Sequence, residues 1–241
     1  MSTLVSPGAP GRDRRTTDDG AAPRPRELVR IFFRQMLPYL ALWLVVLASV
    51  GWLLGHPLKE AVSGEDAVNR WFASVRTPGW NTASNVMSLV ANTGTIIITM
   101  LAATLAYWLI ARRLRDVLPV VLGVMTQAGL FLLTTLLIDR PRPEVPKLDE
   151  SPPTSSFPSG HTGAATALYV GLAILCVRRF PSLGARVFFA VLFGLVPLGV
   201  ATSRLYRGMH HPSDVVFGLL NGGICAVIAY LALRPPRPPR P

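Results

Sequence analysis

The chain has 241 residues, of which 50% are hydrophobic and only 15% charged, against about 25% charged in an ordinary soluble domain. That balance excludes a mostly disordered chain and argues against a soluble globular enzyme. Two cysteines, Cys176 and Cys225, both inside apolar runs, exclude a disulfide-stapled scaffold or a Cys-rich zinc module.

In chain order, residues 1–30 are rich in Arg, Pro, Gly, Asp and Thr and predict a disordered basic tail rather than a signal peptide. The first uncharged run, Gln35 to Leu58, contains LALWLVVLASVGWLL. After it, Val68, Trp71, Phe72 and Val75 recur at helical spacing with Glu65, Asp66 and Arg70 interleaved. This is the signature of a short amphipathic helix lying in a membrane interface and ended by Pro78-Gly79. Further uncharged runs cover Thr77 to Ala111, most apolar from Gly94, then Val117 to Ile138, Thr162 to Val177, Val187 to Ser203 and Val215 to Leu233. A helix rises about 1.5 Å per residue, so about 20 apolar residues cross a bilayer. The runs of 16 and 17 residues at Thr162 and Val187 are short, but their neighbours favour spanning. In lipid only helices and closed barrels satisfy their backbone groups. The expected fold is all-α: a six-transmembrane-helix bundle over 31–233 with a short interfacial amphipathic helix between the first two spans. A Pro/Arg-rich cytoplasmic tail, 234–241, closes the chain in a polyproline II pattern.

The net charge of +11 suits either nucleic acid or an anionic membrane surface, and its placement decides. The N-terminal tail, the second-to-third and fourth-to-fifth connections and the C-terminal tail together hold 16 basic and 5 acidic residues, while the other side holds 8 of each. The positive-inside rule makes the first set cytoplasmic, both termini included. A nucleic-acid partner is correspondingly disfavoured, and a cell membrane, of bacterial type, is the expected location.

Two extracytoplasmic connections carry the candidate chemistry: Asp139 to Gly163, and Ser203 to Asp214. Two spans separate them, so they emerge on one face, which brings Arg140, Arg142, His161, Arg204, Arg207, His210 and Asp214 together at the bilayer boundary. Clustered guanidinium forks match a phosphate in shape and charge. Ser159 suits an N-cap of the fourth span, where first-turn amides and the helix dipole favour an anion, and Gly160 permits close approach. Pro212 suits the first turn of the sixth span. It sets His210 just ahead of Asp214, whose carboxylate could take one imidazole proton and leave the other nitrogen free to attack. His56, at the end of the first span, is expected to be a solvated interface residue, and His211 to be structural.

The run Arg142-Pro143, then Pro158-Ser159-Gly160-His161, then Ser203-Arg204 with His210 and Asp214 at their spacing, resembles the three-part signature of the type 2 phosphatidic-acid phosphatase superfamily. The resemblance implies that His210 is the nucleophile forming a phosphohistidine and that Asp214 orients it. It further implies that His161 is the general acid and then base, and that Arg142, Arg204, Ser159 and the Gly160 amide hold the phosphoryl oxygens. It implies no metal and no cofactor. One departure matters: the Lys that opens the family's first motif, seven residues before Arg142, is Thr135 here. Either Arg140 or Lys147 supplies the missing charge or transition-state stabilisation is weaker than usual, with Arg207 as a further auxiliary. The expected function is hydrolysis of a phosphomonoester or terminal diphosphate of a membrane lipid such as phosphatidic acid or a polyprenyl diphosphate. A metal-dependent hydrolase built on His161, His210, His211 and Asp214, and a catalytically weak lipid-binding or transport protein, are the alternatives. The soluble haloperoxidase branch of the family fits six spans poorly.

Overall fold

The structure is a computed structural model describing residues 21–151 and 153–234. Most of the N-terminal tail and the segment 235–241 lie outside the described residues. The described residues are helical, with no strand among them. Six helices are long and apolar enough to cross a membrane.

The first, α1 (Pro25–Gly55), begins inside the expected tail, and Arg24 to Arg34 become an amphipathic entry to the span. Pro38 lacks an amide hydrogen and crowds the carbonyl one turn back. The helix absorbs this in a π-helical stretch at Phe32–Met36, where the Leu37 amide reaches back to the Phe32 carbonyl. Helix α2 (Glu65–Ser74) is the expected amphipathic element, with Val68, Trp71 and Val75 on an outward face.

The run Thr77 to Ala111 is two helices rather than one. Pro78, read as a terminator, instead opens α3 (Pro78–Val90), capped by Thr77, whose hydroxyl accepts from the Trp80 amide. The Asn92 side chain then accepts from the Gly94 amide and starts α4 (Thr93–Ala111). Next come α5 (Leu118–Leu137), α6 (Gly160–Arg179), α7 (Leu183–Tyr206) and α8 (Pro212–Leu233). The two short runs thus become helices of 20 and 24 residues, because helical geometry continues into their polar flanks. Among the spans, α6 packs against α5, α7 and α8.

The α6–α8 seam is built from small residues. A Cβ on Gly218 would meet the Ser159 carbonyl oxygen at 2.7 Å, and one on Gly222 would meet the Ala167 amide nitrogen at 2.8 Å. Without a hydrophobic force between helices in lipid, this close approach supplies their packing. Apolar clusters flank the seam, Ile96, Met100, Val120, Val124 and Leu168 on one side and Met36, Leu40, Leu130 and Cys225 on the other. Cys225 is fully buried, as its apolar setting predicts.

Candidate active site

The α5–α6 connection and the short segment between α7 and α8 meet at one end of the bundle, as their parity predicts. The Leu148 amide donates to the Arg207 carbonyl (3.1 Å) and the Ser159 amide to the Asp214 carbonyl (2.9 Å). Gly208 turns the segment at φ +72°, a left-handed conformation that only glycine adopts freely. Buried Phe157 packs on Leu47, Leu54 and Phe217 and pins the α5–α6 connection to α1 and α8.

His210 is buried, and its Nδ1 lies 2.8 Å from the carbonyl oxygen of Ser156. The expected partner, Asp214, stands 3.8 Å from that nitrogen, because its oxygens are engaged elsewhere. Oδ2 accepts from the His211 amide (2.8 Å) and faces His211 Nδ1 (3.2 Å), while Oδ1 pairs with Arg140. His211 caps α8, a structural role as expected. Burial pulls His210 below its ordinary pKa; Asp214 opposes this, and Arg204 and Arg142 add to the lowering.

His161, the second residue of α6, lies within Coulombic reach of Arg204, His210, Asp149 and Arg142. Arg142 donates through Nη1 to the Met209 carbonyl (2.8 Å). Arg204 donates through Nη1 to Ser88 Oγ (2.6 Å) and Asp149 Oδ2 (2.8 Å). In both arginines Nε is buried without a hydrogen-bond partner. A buried guanidinium donor left open is costly, so two of them beside two histidines mark a place for an anion.

The remaining candidates are placed differently. The Ser159 hydroxyl pairs with Thr162 Oγ1 (2.9 Å) inside the first turn of α6 rather than with a backbone amide. Gly160 packs its Cα against the Phe131 ring, where a Cβ would come within 2.8 Å. The Thr135 hydroxyl bonds back to the Leu132 carbonyl on its own helix. Arg140 is 4% exposed and committed to Glu65, Ser213 and Asp214. Arg207 is committed to Asp149, Leu148, Asn81 and Ser84. Arg140 and exposed Lys147, the residues that could replace the absent lysine charge, share with Arg142 and Thr135 a polar cavity of about 490 Å³, and of the two Arg140 is already paired with carboxylates.

Sequence reasoning missed the partners that hold these groups. Asp149 bridges Arg204 and Arg207, and burial, which would raise its carboxyl, is outweighed by those guanidiniums, so it titrates below its ordinary value. Asn81, Ser84 and Ser88 line one face of α3, and only their helical spacing in an uncharged run, shared with Thr82 and Asn85, hinted at it. On its lipid side, α3 joins α2 and α7 around an apolar groove of about 490 Å³, walled by Trp71, Phe72, Trp80, Met87 and Thr202. Among the described residues no three His, Cys, Asp or Glu side chains group as metal ligands.

Residues 116–237 match the PAP2 superfamily. Over 164 residues the chain is 27% identical to phosphatidylglycerophosphatase B of Bacillus subtilis, covering 66% of this chain and 78% of that protein. It is 31% identical over 138 residues to decaprenylphosphoryl-5-phosphoribose phosphatase of Mycobacterium tuberculosis, covering 56% and 69%. It is also 32% identical over 135 residues to a probable sphingosine-1-phosphate phosphatase of Dictyostelium discoideum, where the match spans 53% of this chain and a third (33%) of that longer protein. The fold resembles the crystal structure of a transmembrane PAP2 type phosphatidylglycerolphosphate phosphatase from Bacillus subtilis, with a TM-score of 0.68 at 22% identity, covering 79% of this chain and 92% of the other. With the motif residues gathered at one end of a six-helix bundle, these likenesses place the chain in the PAP2 superfamily.

Proposed function

We propose that the protein is an integral-membrane lipid phosphate phosphatase that works through a phosphohistidine on His210 at the extracytoplasmic face. The observation that carries this reading is the pair of unpartnered, buried Nε donors on Arg142 and Arg204 beside His161 and His210. They suit the equatorial oxygens of a phosphoryl group, where positioning and charge neutralisation dominate transfer. The proteins similar to this chain act, by their names, on sphingosine 1-phosphate, phosphatidylglycerophosphate and decaprenylphosphoryl-5-phosphoribose. A phosphate carried by a lipid is common to all three. The groove between α2, α3 and α7 offers a hydrocarbon chain an apolar seat. The arginine-rich connections at the other end of the bundle support an extracytoplasmic site.

In this mechanism His210 Nδ1 keeps its proton on the Ser156 carbonyl and Nε2 carries the lone pair. Nε2 attacks phosphorus in line with the ester oxygen; the N–P bond forms as the P–O bond breaks. His161 gives its proton to the departing alkoxide. Water then attacks the phosphohistidine, His161 takes a proton back, and inorganic phosphate leaves with His210 restored. The Gly160 amide, at the positive end of α6, faces the anion. Arg142 and Arg204 neutralise the charge that builds on phosphorus.

The test is phosphate release from phosphatidic acid, phosphatidylglycerophosphate and a polyprenyl diphosphate in mixed micelles, with EDTA present. Wild type is expected to release phosphate, and His210→Ala to lose on the order of 1,000-fold or more. An H210A variant as fast as wild type would remove the phosphohistidine step. Activity abolished by EDTA and restored by a divalent metal would replace the mechanism with a metal-dependent one.

A further inference from the structure

Helix α2 looks from its sequence like a simple interfacial anchor, yet its inward face is spent on the segment that carries His210. Asn69 is fully buried, and its Nδ2 donates to the His210 carbonyl oxygen at 3.0 Å. One turn earlier, Glu65 Oε1 accepts from the Ser213 amide (2.9 Å), and Oε2 accepts from the Ser213 hydroxyl (3.0 Å) and from Arg140 Nη2 (2.8 Å). Asp66 lies 3.5 Å from His211 Nε2. Beyond the helix end, Arg76 donates to the Tyr206 carbonyl through Nε (3.2 Å) and Nη2 (2.8 Å). Contacts from Glu65 to Arg76 therefore run along the whole catalytic segment, from the end of α7 to the first turn of α8.

One of these contacts is unlike ordinary packing. Asn69 Oδ1 is buried and has no hydrogen-bond partner. Burying an amide with half its capacity unmet is unfavourable, and an apolar residue would fill the same space without that cost. The side chain is kept for its donor, and the donor goes to the backbone of His210. The imidazole is held on its other side by the Ser156 carbonyl, so His210 is fixed by its ring from the α5–α6 connection and by its backbone from α2.

We propose that Asn69 is a positioning residue for His210, with Glu65 holding the same segment through Ser213, so that α2 sets the line along which Nε2 meets phosphorus. The proposal rests on the reading of His210 as nucleophile. Asn69 touches neither substrate nor the reacting atoms, and its effect falls on kcat. In-line attack is sensitive to misplacement of about 1 Å, which costs on the order of 100-fold, whereas anion binding at Arg142 and Arg204 does not pass through α2.

The experiment uses the full chain in detergent and compares Asn69→Leu, of the same branching but without the donor, with Glu65→Gln and Glu65→Ala. Steady-state kinetics on phosphatidic acid are read beside vanadate inhibition, and hydrogen exchange follows the peptide spanning 205–214. N69L is expected to lower kcat on the order of 100-fold with KM within twofold, to weaken vanadate inhibition in step because vanadate mimics the transition state, and to speed exchange across 205–214. E65Q, which keeps one acceptor oxygen for Ser213, should retain more kcat than E65A, which keeps none. A kcat for N69L within twofold of wild type per vanadate-titrated site would overturn the proposal. So would loss of the cooperative thermal unfolding transition in N69L, which would mean general unfolding. The exchange measurement does not depend on the reaction: unchanged protection of 205–214 in N69L overturns the clamp even if the wild type hydrolyses none of the lipids offered. That last result, with protection lost in N69L, would instead count against the proposed function alone.

Discussion

As the proposed nucleophile, His210 must be neutral to attack phosphorus, and its surroundings favour that form. Burial lowers it below its ordinary value of 6.5, and Arg204 and Arg142 lower it further against the opposing pull of Asp214. The acid limb of kcat/KM for phosphate release is therefore expected below pH 6.5; a limb at or above that value would mean an exposed imidazole. Asp149 makes a second pH-dependent contribution, of opposite charge type. Its folded-state pKa lies below the ordinary 3.8, so its stabilisation is complete above that value and is lost as pH falls through the folded value. The difference in thermal midpoint between wild type and Asp149→Asn should be constant from neutral pH down to about 5 and should close in stronger acid. Arg140 gives the largest single-residue effect. Arg140→Met would leave the fully buried Asp214 carboxylate without its cationic partner, at a cost of about 3–5 kcal/mol read from thermal unfolding. The motif residues were legible because their order and spacing are local. Asn69, Asp149 and Ser156 were not, because each earns its place only when segments distant in sequence meet. The same reason hid the commitment of Arg140 and Arg207 to internal carboxylates.

At the scale of the element, α3 is where reading and structure part. Thr77 to Ala111 is uncharged throughout, and hydropathy alone draws it as one segment. The break at Ala91-Asn92 depends on a capping side chain, a signal of one residue inside 35. Its result is a helix too short to span, whose Asn81, Ser84 and Ser88 hold Arg204 and Arg207 and which also walls the apolar groove. Ala83 of α3 and Thr202 of α7 both line that groove. Ala83→Trp and Thr202→Trp are expected to cut hydrolysis of long-chain lipid phosphates at least tenfold while sparing p-nitrophenyl phosphate. Each tenfold corresponds to about 1.4 kcal/mol of lost binding. Equal loss on both substrates would mean that the groove serves folding rather than the lipid chain.

For the molecule as a whole, six spans and their common polar end were legible because both follow from run length and parity. The helix ends were not, since helices here continue several residues into polar flanks. The α6–α8 seam also escaped notice, although Gly218 and Gly222 stand at the spacing that lets membrane helices touch. Gly222→Leu is expected to destabilise the detergent-solubilised protein by about 1–3 kcal/mol or more through overpacking, with a matching fall in thermal midpoint. Because Ser159 rests on Gly218 across that seam, the same variant should weaken vanadate inhibition.

The partner of His210 Nδ1 is a main-chain oxygen, and no codon change can erase a main-chain oxygen. Which imidazole nitrogen stays protonated is thus written into the path of the polypeptide instead of being entrusted to one replaceable acid. Asp214 is freed to knit Arg140 to the start of α8, and in the proposed mechanism the nitrogen that meets phosphorus is chosen by Ser156 rather than by that acid.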